Sequence, residues 1–257
     1  MPQFLTQRTL YEVRERPSKS YSWVAFLIAN FTTEILYQEI AAILVYVAWY
    51  FAVFGVSQSS LSQGLMLVLC LQFYLFVASF ALMVIAALPD VTTAANVATL
   101  LFSMMLIFNG TLQPPSDLPS FWIFMWRTSP LTYLIGAWAA TGLSNRPVHC
   151  ADNELAIFNP PRGETCAQYL QPYFEQGAPG NLYNPSATSD CQYCSLSNGS
   201  QFLASSRIYD SEKYRNIGIV FIYIGFNFFA AVSLYYIFRV RQGSLFSSVR
   251  KALKRSK

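Results

Sequence analysis

Apolar residues along this 257-residue chain fall in long unbroken runs rather than at the period of an amphipathic helix. Four runs stand out, 24–54, 61–88, 91–112 and 217–238, and none contains a proline. A helix needs about 20 mostly apolar residues to cross a bilayer core, and each run meets that length. Prolines fall between the runs, at Pro89 and through 114–185, where a missing backbone N–H need not be replaced inside lipid. The pattern predicts an all-α membrane protein with four transmembrane helices. The first twenty residues have no apolar run after a basic start, so insertion is expected to rely on the first internal span.

The first run is long enough, at about 46 Å, to tilt or to stand partly in the headgroup region. Its first half is polar. Asn30, Glu34 and Gln38 recur every four residues and form one stripe, with Glu39 beside it. A charge at the bilayer centre costs about 2.5–3.5 kcal/mol on insertion scales, so the stripe is expected to face other helices or water. It is either a solvated helix end or an intramembrane polar relay. The third run opens on Asp90, which suits a helix N-cap. The small residues Thr92, Ala95 and Thr99 then offer a face for close helix packing.

Composition agrees with the pattern. Only 12% of residues are charged and 54% are hydrophobic, against about 25% charged in soluble domains. Basic residues are unevenly placed. Eleven of the seventeen lie in 1–23 and in the tail 239–257, and the other six lie in 113–216 with eight acidic residues. The bias places both termini in the cytosol and the segment 113–216 outside. The tail, with Arg239, Arg241, Arg250, Lys251, Lys254, Arg255 and Lys257, suits anionic membrane lipids; it is too short and too near the membrane to suggest nucleic acid.

Within 113–216, the stretch 120–142 holds two apolar pieces, FWIFMW and LTYLIGAWAA, split by Pro130. Each is too short to span, and they read as re-entrant helices with aromatic anchors. Cys150, Cys166, Cys191 and Cys194 are in this segment. In an oxidising compartment they suggest two disulfides with three possible pairings; their spacings match no common zinc finger. Of three N-x-S/T sequons, at Asn30, Asn109 and Asn198, only Asn198 is well placed for a glycan. The sole histidine, His149, has no catalytic companions. Glu34 and Glu39 lack a histidine or metal partner, so no catalytic, cofactor or metal site is expected.

Several long motifs carry a resemblance. LYEVRERPSKSYSW at 10–23, FNGTLQPPSDLPSFWIFMWRTSPLTYLIGAW at 108–138, NPPRGETCAQYLQPYF at 159–174 and CQYC at 191–194 resemble, in order, parts of the second membrane domain of fungal pleiotropic drug resistance transporters, the G subfamily of ABC transporters. The resemblance runs from about residue 10 to the end. It implies the last four helices of an ATP-driven exporter of hydrophobic drugs, or of lipids and sterols, in the plasma membrane. It implies an intracellular coupling segment at 10–17, with Glu12, Arg14, Glu15 and Arg16 meeting the ATPase domain. It implies a substrate path along Phe102, Ser103, Met105 and Leu106. The outward valve of the family falls on Thr111 and Leu112. It implies nested disulfides, Cys150 with Cys194 and Cys166 with Cys191. No G-x-x-x-x-G-K-[ST] occurs in these 257 residues, so ATP and Mg would act through nucleotide-binding domains on other parts of the transporter. The chain is expected to be a C-terminal fragment or short product. A tetraspanin-like organiser is the structural alternative, but its Cys-Cys-Gly motif is absent; a nonfunctional transporter remnant is the other.

Overall fold

The computed structural model describes residues 2–56 and 58–241. Arg250, Lys251, Lys254, Arg255 and Lys257 of the basic tail lie outside the described residues. The chain is mostly helical. It opens with α1 (Pro2–Leu10), a π-helical turn (Tyr11–Glu15) and α2 (Arg16–Ser18). Lys19 then turns the backbone at φ 54°.

Each long helix begins where a short polar side chain satisfies free N–H groups. Ser22 accepts from the Ala25 N–H and opens α3 (Trp23–Phe54). Ser59 accepts from Ser62 and opens α4 (Ser60–Ala87). Asp90 accepts from the Thr93 N–H at 2.7 Å and opens α5 (Val91–Ile107). α4 stops because Leu88 precedes a proline and is extended.

Among the described residues, three helices are long and apolar enough to cross a membrane: Trp23–Phe54, Ser60–Ala87 and Asp210–Arg241, the third containing α10 (Lys213–Tyr235). The expected span at 91–112 differs. α5 ends at Ile107 after 17 residues, about 26 Å at 1.5 Å per residue. The cause is the Asn109-Gly110 turn. The Asn109 Oδ1 accepts from the Thr111 N–H at 2.7 Å, and Gly110 takes φ +89° with Trp126 packed over it. A Cβ at Gly110 would lie 2.8 Å from Trp126 Nε1, so the position demands glycine.

α4 is the centre of the bundle. Over half of its most apolar stretch is buried, against about a tenth for α3. Gln72 Nε2 donates to the Ile217 carbonyl at 2.8 Å, and Asn227 Nδ2 donates to Ser79 Oγ at 3.2 Å, stitching α10 onto α4. Cys70, the one cysteine outside the 113–216 segment, donates its thiol to the Ala42 carbonyl on α3.

The 113–216 segment carries α6 (Ile123–Thr128) and α7 (Pro130–Leu143). The buried Leu131, Leu134, Ala137 and Ala140 seat α7 on the bundle. Beyond it lie β1 (Ala156–Phe158), α8 (Cys166–Glu175), β2 (Asn181–Leu182), β3 (Cys191–Cys194) and α9 (Gly199–Ser205). The strands form an antiparallel sheet in the order β1-β3-β2. The all-α expectation missed this sheet, because strands of two to four residues leave no alternating pattern to read.

Candidate functional site

The N-terminal segment is fastened to the ends of two helices that are remote in sequence. Arg8 is almost fully buried (3% exposed). Its guanidinium donates to the carbonyls of Ile85 at 3.0 Å, Leu88 at 3.1 Å and Pro89 at 3.0 Å. These carbonyls sit at and just past the C-terminus of α4, where helix carbonyls lack partners and the dipole favours a cation. Arg239 adds a second donor to Leu88 at 3.1 Å. Burial first, and then the neighbouring Arg239 charge, pull Arg8 below the ordinary arginine value.

Arg16 makes the second bolt. It donates to the Arg239 carbonyl at 3.0 Å and the Val240 carbonyl at 3.3 Å, at the far end of the last helix. Between the bolts, Tyr11 is buried and stacks on Phe26 with ring centroids 4.7 Å apart. The Tyr21 hydroxyl donates to Glu15, and that hydrogen bond pushes its pKa up to about 12.

The four residues expected to meet an ATPase domain therefore sit in different surroundings. Arg16 reaches another helix, and Glu15 closes a local contact. Arg14 is exposed. Glu12 has a buried Oε1 without a partner among the described residues. Arg8 and Arg239 were counted in the sequence only as charges. The signal for Arg8 was Pro89, which leaves carbonyls at the end of α4 in need of donors.

The polar stripe holds together along α3. Gln38 Nε2 donates to Glu34 Oε1 at 3.2 Å, and Asn30 Nδ2 donates to the Phe26 carbonyl at 2.9 Å. Asn30, Glu34 and Tyr37 face Gln3 and Gln7 of α1 across a cavity of about 590 Å³. On α5, Phe102 and Met105 pack against the core, whereas Leu106 is exposed. Ser103 is half-buried, and Thr111 and Leu112 are exposed on the turn after the helix.

In the outer segment, Cys150 is bonded to Cys194 and Cys166 to Cys191. Both ends of β3 are thus covalently anchored, one of them to the first turn of α8. Asn198 is the N-cap of α9, its side-chain oxygen accepting from the Gln201 N–H at 3.2 Å. Among the described residues, no three His, Cys, Asp or Glu side chains are grouped to hold a metal ion.

The ABC-2 type transporter family model matches residues 1–141. The ABC multidrug transporter MDR1 of Trichophyton interdigitale is 56% identical over 244 residues, covering 95% of this chain and 16% of that protein. The ABC multidrug transporter atrI of Aspergillus fumigatus is 54% identical over 254 residues, covering 99% of this chain and 17% of its own. The ABC-type transporter adrC of Penicillium roqueforti is 48% identical over 240 residues, covering 93% and 16%. The chain spans about a sixth of the length of the curated relatives it matches.

Proposed function

The chain belongs to the ABC-2 type transporter family, and we propose that it forms part of the membrane domain of an ATP-driven exporter of hydrophobic drugs, or of lipids and sterols. One observation carries this reading: Arg8 and Arg16 tie the segment at 2–18 to the ends of α4 and of the last helix. A push on that segment would reach two spans together. Such a fastening suits a lever between a soluble motor and the membrane helices.

In this reading α5 is the third of four spans, its short apolar length completed by the turn at 108–112. α6 and α7 dip back into the outer leaflet, and both termini face the cytosol of a plasma-membrane protein. Nucleotide-binding domains elsewhere in the transporter bind ATP and Mg and press on Glu12, Arg14 and Glu15. Substrate moves along Phe102, Ser103, Met105 and Leu106 toward Thr111 and Leu112; apolar and Met side chains suit varied greasy ligands. The disulfide-bearing segment roofs the exit, with a glycan on Asn198.

The test is efflux of a fluorescent hydrophobic cation from pump-deficient cells. The cells express the complete transporter that carries this segment. Arg16→Ala should lower efflux severalfold while its surface level is kept, and Arg16→Lys should restore part of it. Unchanged efflux with Arg16→Ala would sink the lever. Finding the segment only in a free product of 29.0 kDa, with no efflux, would favour a nonfunctional remnant.

A further inference from the structure

A second cavity, of about 270 Å³, lies at the opposite end of the bundle among the α5–α6 turn, α7, α9 and the start of α10. Its lining has two parts. Tyr133, Ile135, Ala139 and Leu203 form an apolar slot, while Arg127, Arg207 and Arg215 stand with a single carboxylate, Glu212. Glu212 is already paired with Arg215 at 2.8 Å. Among the described residues, the side chains of Arg127 and Arg207 have neither a hydrogen-bond nor an ion-pair partner. Two exposed arginines without an acidic partner therefore stand at the wall of one small cavity.

One buried group beside them points to a ligand. Asn216 lines the cavity, is 8% exposed, and has an Oδ1 with no hydrogen-bond partner among the described residues. Arg207 occupies the position after α9 where glycine is usual. Its N–H bonds to the Ala204 carbonyl, that of Ile208 bonds to the Leu203 carbonyl, and Arg207 takes φ 56°. This is the Schellman closure, which glycine makes without strain. The chain places an arginine there instead.

We infer that this cavity is a binding site for a phosphate-bearing amphiphile, with the phosphate between Arg127 and Arg207 and the first part of the apolar chain in the slot below. Guanidinium groups match phosphate oxygens in a fork geometry. The Asn216 amide offers a further donor and acceptor at the headgroup. The same chemistry is presented by a lipid headgroup and by free phosphate. The site touches the exit side of the path at Thr111, but binding at it does not rest on export. Its placement in the outer leaflet alone rests on the proposed topology.

The test uses the whole chain in detergent, read by native mass spectrometry with dioleoyl phosphatidate as probe and dioleoylglycerol as the phosphate-free control. The decisive variant is Arg127→Gln with Arg207→Gly, because the glycine suits the φ of its position and the fold is retained. Non-reducing peptide mapping of both disulfides verifies that. Wild type should hold phosphatidate at least about tenfold more tightly than the variant, the loss expected for a charge-assisted hydrogen bond, and should show no preference for dioleoylglycerol over it. Inorganic phosphate that displaces phosphatidate from wild type supports the shared phosphate chemistry. Arginine-dependent binding of inorganic phosphate without any phosphatidate retention overturns the amphiphile and leaves a free-anion site. Equal retention of phosphatidate by wild type and variant overturns the site altogether.

Discussion

The two ends of the bundle are held by different chemistry. At one end, the segment at 2–18 is attached by Arg8 to main-chain carbonyls 77 to 81 positions away and by Arg16 to carbonyls 223 and 224 positions away. At the other, the 113–216 segment is closed by two covalent bonds around a three-stranded sheet. Hydrogen bonds to carbonyls can be remade after a shift of a few ångströms; a disulfide cannot. The contrast suits a molecule that receives motion at one end and keeps a fixed shape at the other.

The largest test of that contrast is removal of a disulfide. Replacing Cys166 and Cys191 by Ser opens a link spanning 25 positions, worth about 3–4 kcal/mol in the chain-entropy view. Limited proteolysis should then cut within 160–190 while α3 and α4 stay protected. Cleavage that spreads to the bundle would mean that the two ends are not independent.

Next is Arg8→Met, which keeps apolar bulk and removes three hydrogen bonds from carbonyls at the end of α4. Docking of the N-terminal segment should weaken by about 2–3 kcal/mol. A spin label at Val13 should become mobile, with proteolysis of the outer segment unchanged. A label that stays immobile would show that Tyr11 stacking alone holds the segment.

A smaller effect separates the capping role of Asn198 from the glycan proposed there. Asn198→Asp keeps an oxygen to cap α9 but removes a glycan acceptor, whereas Asn198→Ala removes both and costs about 1 kcal/mol of local stability. Both should run faster on a gel, and only the alanine variant should loosen α9 in hydrogen exchange.

The smallest effect is at Asp90. Hydrogen bonds from Thr93 hold its carboxyl below the usual carboxylate range. A depressed pKa contributes stability above the unfolded value that is lost as pH falls through the folded one. The first turn of α5 should therefore fray only in acid, below the ordinary carboxylate pKa. Asp90→Asn should flatten that dependence in amide exchange of Thr92 and Thr93.

Much of the molecule was legible in order. Long apolar runs marked α3, α4 and α10, because lipid demands apolar length and says little about which face packs where. Ser22, Ser59 and Asp90 stand where caps belong. The end of α5 was misplaced by five residues, since Leu112 is as apolar as a span requires and only the Asn109-Gly110 turn against Trp126 ends the helix. The cavity beside Arg127 and Arg207 was not legible, because its walls come from positions 109 to 216 and share no local pattern.

By itself the sequence determined the membrane character, the polar stripe at Asn30, Glu34 and Gln38, and the membership announced by its long motifs. Those are properties of neighbouring residues and of composition. Only the tertiary structure decided that Arg8 binds the end of α4, that Arg16 reaches the carbonyls at 239 and 240, and that three arginines line one cavity. Each of these joins groups that are far apart in the chain, and such contacts depend on how helices pack rather than on any local preference.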